Sequence, residues 1–144
     1  MRPSSYNHNY TNDHSAFFND ITYTTPVVPT LYSALSTGDA AMNESVYGDY
    51  TSTHVLNKGD VVEIILNNND PGKHPFHLHG HDFQAVWRSP VGAGFYDPDA
   101  NYDYAETPMR RDVFMVNPNG HFVIRWVANN PGQFRYFFRV WLFT

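Results

Sequence analysis

Short apolar runs separated by turn-forming residues dominate the middle of the chain. Residues 61–66 (VVEIIL) are apolar apart from Glu63, which predicts a strand buried on both faces. Residues 76–88 alternate apolar and polar side chains, which predicts a strand with one buried face. Further strands are predicted at 113–116 and 121–127, separated by a turn. No long helical period appears, so the pattern indicates an antiparallel β-sandwich.

The segments that connect these strands are rich in Gly, Pro, Asn and Asp. Residues 26–38 carry prolines and end in glycine, which indicates an extended connection with a short helical piece. Asn67–Gly72 is predicted to be a turn, and 89–110 a long loop, a length that is usually functional or covered by another domain. Residues 134–144 can form a last strand. The polar residues 1–20 are predicted to be poorly ordered or draped along a sheet edge.

The composition limits which partners the protein can bind and which kinds of site it can form. Charged residues make up 16% of the chain, below the roughly 25% that is usual, which favours buried strands or a surface covered by more protein. The formal charge of −5 argues against nucleic acid as a partner. The sequence shows neither an apolar membrane span nor the apolar core of a signal peptide. The absence of cysteine removes disulfides, thiolate catalysis and thiolate metal ligands.

The segment HPFHLHGHDF concentrates four histidines within eight positions, 74 to 81. On a strand, side chains two residues apart point to the same side at a spacing of roughly 7 Å, so His77 and His79 share a face. His74 precedes Pro75, whose restricted backbone can aim His74 in another direction. Neutral imidazole binds copper, zinc, iron and nickel, so this concentration predicts a metal site. The alternative is a set of surface or hydrogen-bonded histidines.

HPFHLHGHDF resembles a copper-binding motif of the multicopper oxidases, the family of laccases and ferroxidases. Further similarity to the last cupredoxin domain of fungal iron-transport ferroxidases lies in PTLYSALSTGDAA, VEIILNNNDPGKHPFHLHGHDFQ, TPMRRDVFMV and FVIRWVANNPG. The resemblance covers about residues 17–132. It implies an all-β fold, a cupredoxin-like (plastocyanin-like) Greek-key β-sandwich formed by one domain at 21–144. Its C-terminal strand would be incomplete, because residues 133–144 form a divergent tail.

The resemblance also implies roles for individual residues. His74 would bind the type 1 copper, which accepts electrons, His77 the type 2 copper, and His79 one of the type 3 pair. His81 is not a ligand in the family pattern. In ferroxidases an acidic residue shortly before the first motif histidine receives Fe(II) and passes its electron on, and Asp70 occupies that place. The alternative for Asp70 is an ordinary turn aspartate.

The family pattern breaks after the turn at 129–132. The resemblance implies a His-Cys-His motif there, but the chain continues QFRYFFRVWLFT, without Cys or His. A type 1 site needs a thiolate and two histidines, and His74 is the one matching ligand present. The trinuclear cluster would also need ligands from other domains. We therefore expect the isolated chain to lack oxidase activity and full copper occupancy, and a truncated or mis-spliced gene would explain the tail.

The implied parent enzyme is an oxidoreductase with O2 as acceptor, which holds four copper ions, oxidises Fe(II) for iron uptake and reduces O2 to water. Its partners would be Fe(II), O2, the missing cupredoxin domains and an iron permease. The parent would be secreted or held at the extracellular face of the plasma membrane. Two alternatives stay open. One is a domain of a laccase-type phenol oxidase, and the other is a non-catalytic metal-binding or interaction module.

Overall fold

The computed structural model describes residues 4–10, 16–19, 21–130 and 136–137. The strands in these ranges are β1 (Ser4–Tyr10), β2 (Ala16–Phe18), β3 (Ile21–Thr22), β4 (Val61–Asn68), β5 (His74–Leu78), β6 (Phe83–Arg88), β7 (Met109–Arg111), β8 (Val113–Val116), β9 (Gly120–Val127) and β10 (Tyr136–Phe137). The helix α1 (Thr30–Ser36) is followed by 3-10 turns at Gly38–Met42 and Glu44–Tyr47. None of the helices in the described ranges is long and apolar enough to span a membrane.

The strands form two sheets, in the orders β3-β2-β1-β4-β9-β6-β7 and β10-β5-β8. At the centre of the larger sheet, β4 and β9 are antiparallel, with Val61 opposite Val127 and Asn68 opposite Gly120. Among the described pairs β1 runs parallel to β4, and the remaining pairs are antiparallel as predicted. The parallel pair was not predicted, because residues 1–20 were expected to be poorly ordered or draped along a sheet edge.

The core lies between the two sheets. It contains Ile64, Leu66, Phe76, Leu78, Phe83, Val116, Phe122, Ile124 and Trp126. On the other face of the larger sheet, Ile65 packs with Val86 and Val123 in a second cluster. The prediction that residues 61–66 form a strand with both faces covered is therefore confirmed for its central residues, although Val61 itself is exposed.

The prediction of a single strand over residues 76–88 is wrong. β5 ends at Leu78 and β6 begins at Phe83 in the other sheet. Between them Gly80 has φ 80°, the left-handed conformation that glycine adopts without steric cost. The apolar alternation continues across this turn and therefore hides it. The turn predicted at Asn67–Gly72 also begins later, because Asn67 and Asn68 are buried residues of β4.

The connecting segments follow the predictions in part. Residues 26–38 contain the short helix α1. Parts of 1–20, predicted to be poorly ordered or edge-draped, form β1 and β2, which extend the larger sheet beyond β4. β10 lies within the predicted last strand and pairs antiparallel with the end of β5. The other residues of 1–20 and of the tail at 133–144 lie outside the described ranges.

The long loop after β6 packs its aromatic residues against the larger sheet. Tyr96 and Tyr102 stack with ring centroids 4.8 Å apart, and the hydroxyls of Tyr96 and Tyr104 are 2.8 Å apart. Burial, together with this hydrogen bond, raises the pKa of Tyr104 above its ordinary value. Nearby, Trp87 Nε1–H donates to His121 Nε2 at 3.2 Å. Tyr96 and Tyr104 pack against the cluster of Ile65, Val86 and Val123, and Tyr102 packs against Trp87, so the loop lies on this face of the sheet.

Candidate metal centre

Strand β5 presents its two histidines on opposite faces. His74, Phe76 and Leu78 are buried, whereas Pro75 and His77 are half-buried, which is the two-residue period of a strand. His79 follows the end of the strand and is exposed. His74 therefore lies on the same side as the core residues, while His77 lies on the outer side.

His74 is paired with Asp70. The distance between His74 Nε2 and Asp70 Oδ1 is 2.9 Å, and the two side chains are only 8% and 14% exposed. Because a carboxylate oxygen accepts hydrogen bonds, the proton of the neutral imidazole lies on Nε2. The lone pair is then on Nδ1, the nitrogen that is left for a metal ion. Asp70 therefore selects which nitrogen of His74 can act as a ligand.

Backbone groups and the Asn68 side chain hold Asp70 in this position. Gly72 N–H donates to Asp70 Oδ1 at 2.6 Å, so this oxygen accepts two hydrogen bonds. The Asp70 backbone N–H donates to Asn68 Oδ1 at 3.0 Å, and the Asp70 carbonyl accepts from Asn119 N–H at 3.0 Å. Asp70 is thus part of a turn, as one interpretation of the sequence has it, and also the partner of His74.

His77 and His79 lie next to each other, as their spacing predicts. Their ring centroids are 5.6 Å apart and their planes are nearly perpendicular, at 86°. His77 Nδ1 is 3.0 Å from the backbone oxygen of Asp112. A carbonyl only accepts, so Nδ1 carries the proton and Nε2 carries the lone pair. The carboxylate of Asp112 is also near, with Oδ2 3.8 Å from the same nitrogen.

His81 differs from the other three histidines of the segment. Both of its ring nitrogens are buried, and its ring packs at a tilt against Trp126 with centroids 6.4 Å apart. His81 thus packs beside the core residue Trp126.

The donor atoms fit copper, but they form only part of a coordination shell. Imidazole is a good ligand for copper, and hydrogen bonds that orient the ring are typical of metal-binding histidines. Within the described residues, however, no group of three or more His, Cys, Asp or Glu side chains could hold a metal ion. In the histidine segment the structure thus places His74 beside Asp70, and His77 beside His79. A complete site needs donors from elsewhere.

Two residues beside these histidines were not predicted from the sequence. Asp112 lies in the TPMRRDVFMV segment and reaches His77 because β8 pairs with β5, with His77 opposite Val113. Asn68 supports the Asp70 turn from the end of β4. No local signal marks Asp112, because its contact joins residues 35 positions apart. The Asn68 contact is local, since an Asn side chain commonly accepts from the backbone N–H two residues on.

Most of the chain is similar to a known protein family. Residues 23–142 match a family model described as multicopper oxidase. The matched range continues past residue 132, where the resemblance was expected to stop. "Iron transport multicopper oxidase fetC" of Epichloe festucae is 50% identical over 131 residues, which are 89% of this chain and 20% of that protein. "Iron transport multicopper oxidase FET3" of Saccharomyces cerevisiae is 49% identical over 135 residues, with the same two shares.

Solved structures agree on the fold. The crystal structure of Fet3p, described as a multicopper oxidase that functions in iron import, matches with a TM-score of 0.86 and 45% identity, over 90% of this chain and 27% of that one. The laccase of Botrytis aclada matches with a TM-score of 0.68 at 22% identity, over 92% of this chain and 24% of that one, which is evidence for the fold alone. The predicted all-β, cupredoxin-like fold is confirmed. The chain spans about a fifth of the length of the two relatives.

Proposed function

The chain belongs to the multicopper oxidase family, and on this premise we propose that it is the copper-binding domain of an oxidase that oxidises Fe(II) and reduces O2 to water. The family implies copper as the cofactor. Relatives of about half identity are named iron transport multicopper oxidases, which favours iron as the substrate. The laccase alternative has weaker support, because its similarity is 22% identity.

The observation that carries the proposal is the Asp70–His74 pair. Carboxylate oxygen is a hard ligand that suits iron, and imidazole suits copper. Asp70 would hold Fe(II), and His74 would hold the type 1 copper through Nδ1. The proposed iron ligand Asp70 and the proposed copper ligand His74 are joined directly by a hydrogen bond of 2.9 Å. Copper, when bound there, supplies a one-electron acceptor for the iron.

In the proposal, His77 and His79 are ligands of the type 2 and type 3 coppers. His77 would hold the type 2 copper through Nε2, because its Nδ1 is occupied by the Asp112 carbonyl. His79 would hold one of the type 3 pair from the same side of the chain. The remaining ligands would come from other cupredoxin domains of a parent protein at the extracellular face of the plasma membrane. O2 would be the second substrate and an iron permease a partner.

A second candidate function is a metal-binding module without oxidase activity. The observation that favours it is that the described residues do not assemble three donors. In this case His77 and His79 would bind Cu(II) weakly as a pair, and Asp70 would have no role toward iron. The two candidate functions therefore differ in whether Asp70 binds Fe(II).

A metal titration followed by NMR separates them. Under anaerobic conditions Fe(II) is paramagnetic and broadens signals close to it. We expect broadening at residues 70 and 74 in the wild-type chain and in the control Asp103→Asn, and its loss in Asp70→Asn. Equal broadening in Asp70→Asn, or broadening centred elsewhere, would contradict the iron role.

The same titration with Cu(II) tests the histidine pair. The double variant His77→Ala, His79→Ala should lose the broadening around the end of β5, whereas the control His54→Ala should retain it. Unchanged copper binding in the double variant would remove these two residues from the ligand set. We expect the isolated chain to show no Fe(II)-dependent O2 uptake, and measurable uptake would contradict that expectation.

A further inference from the structure

Asn68 is a buried polar residue whose side chain makes three hydrogen bonds. The residue is 2% exposed. Its Oδ1 accepts from Asp70 N–H at 3.0 Å, and its Nδ2 donates to Gly72 O at 2.9 Å and to Asn117 O at 3.0 Å. These partners determine the orientation of the amide, because an N–H only donates and the two carbonyls only accept. The carboxamide thus ties the first and last residues of the 70–72 turn together.

The shape of this turn determines where the Asp70 carboxylate lies. Gly72 N–H donates at 2.6 Å to the same oxygen that faces His74 Nε2. A Cβ at position 72 would lie 2.7 Å from that oxygen, closer than real Cβ contacts allow. A change in the turn would therefore move the carboxylate relative to His74.

A second turn fastens the first one to the sheets. Asn117, in the segment between β8 and β9, receives a hydrogen bond at Oδ1 from Arg88 Nη2 at 2.6 Å and donates through Nδ2 to Ser89 O at 2.7 Å. Its carbonyl accepts the hydrogen bond from Asn68. Buried networks in which the members satisfy one another are rigid. The Asn68 side chain joins this network to Asp70 and Gly72, beside the backbone hydrogen bond from Asn119 N–H to the Asp70 carbonyl.

We propose that Asn68 is a positioning residue for the Asp70–His74 pair. Its carboxamide holds the 70–72 turn in the form that keeps Asp70 Oδ1 on His74 Nε2. His74 is thereby held in the tautomer protonated at Nε2, with Nδ1 available to a metal ion. The copper role of His74 rests on the proposed function, whereas the tautomer is a property of this chain alone.

The test reads the tautomer of His74 directly from the 15N signals of its ring in the metal-free chain. Asn68→Asp keeps the size of the side chain, removes both N–H donors and turns a carboxylate toward two carbonyl oxygens. Asn69→Asp is the matched control, because it makes the same chemical change and adds the same charge at the exposed neighbouring residue. We expect a single Nε2–H tautomer in the wild type and in Asn69→Asp, and its loss in Asn68→Asp.

Retention of the Nε2–H tautomer in a folded Asn68→Asp variant would overturn the proposal. If the amide spectrum shows that this variant does not fold, Asn68→Ser replaces it. The serine variant adds no charge and leaves one hydroxyl in place of the amide, and the same two outcomes decide.

A copper titration of the same variants separates this proposal from the function. Loss of a residue that orients a metal ligand typically weakens metal binding about 10- to 100-fold, which we expect at His74 in Asn68→Asp but not in Asn69→Asp. Absence of copper binding at His74 in the wild type, combined with the expected tautomer change, would remove the copper role and leave the positioning role. Equal tautomers and equal affinities in both variants would overturn the positioning role.

Discussion

Replacement of Asp70 by alanine should destabilise the folded chain, because its carboxylate accepts two hydrogen bonds in a mostly buried position. The donors are His74 Nε2–H at 2.9 Å and Gly72 N–H at 2.6 Å. A hydrogen bond to a charged group contributes about 1.5–3 kcal/mol, and its loss leaves a buried donor without its acceptor. Because both bonds share one oxygen, we expect a loss of about 3 kcal/mol in the free energy of unfolding.

Asp70→Asn separates the charge from the hydrogen bonds. The amide oxygen can still accept from both donors, so the loss should fall to about 1 kcal/mol. Asp103→Ala is the control at an exposed position, and it should change the free energy of unfolding by no more than about 0.5 kcal/mol.

Denaturant unfolding followed by tryptophan fluorescence measures these differences, and the chain has three tryptophans. The expected order of stability is Asp103→Ala, then Asp70→Asn, then Asp70→Ala. If Asp70→Ala is as stable as Asp103→Ala, the pair with His74 does not stabilise the fold, and the structural basis of the proposed iron and copper roles is refuted. Equal losses in the two Asp70 variants would show that the charge accounts for the whole effect and that neutral hydrogen bonds to this oxygen contribute nothing.

Two further predictions concern residues outside the histidine segment. Because burial raises the pKa of Tyr104 above its ordinary value of 10.0, the folded chain keeps this proton at a pH where the unfolded chain loses it. Stability should therefore fall as the pH rises through about 10. The Tm of Tyr104→Phe should decrease less steeply than that of the wild type in a series from about pH 9 to 11. Identical slopes of Tm against pH would contradict this. In Gly120→Ala the new Cβ would lie 2.5 Å from Ser89 Oγ and 3.1 Å from Pro90 O. It would also disturb the hydroxyl that accepts from His121 N–H, so we expect a loss of about 1–3 kcal/mol by denaturant unfolding, and wild-type stability would show that the site can relax.

The sequence by itself was sufficient to predict the strands that are continuous apolar runs and to identify the segment that carries the histidines. β4, β8 and β9 were predicted close to their observed bounds, because strand period and turn chemistry are local properties. The adjacency of His77 and His79 was predicted from the two-residue period of a strand, although β5 ends at Leu78, before His79. The motif also identified the family, since its residues are contiguous in the chain.

Only the tertiary structure decided how these pieces meet. The separation of β5 from β6 depends on a turn at Gly80 that the apolar pattern does not mark. The hydrogen bond from Asn68 to Asn117 joins residues 49 positions apart, and that from His77 to Asp112 joins residues 35 apart. Strand pairing creates these contacts, and a local pattern does not specify which strands pair. The ring nitrogen that His77 offers to a metal ion is therefore determined by Asp112, a residue distant in the sequence, whereas that of His74 is determined by the nearby Asp70.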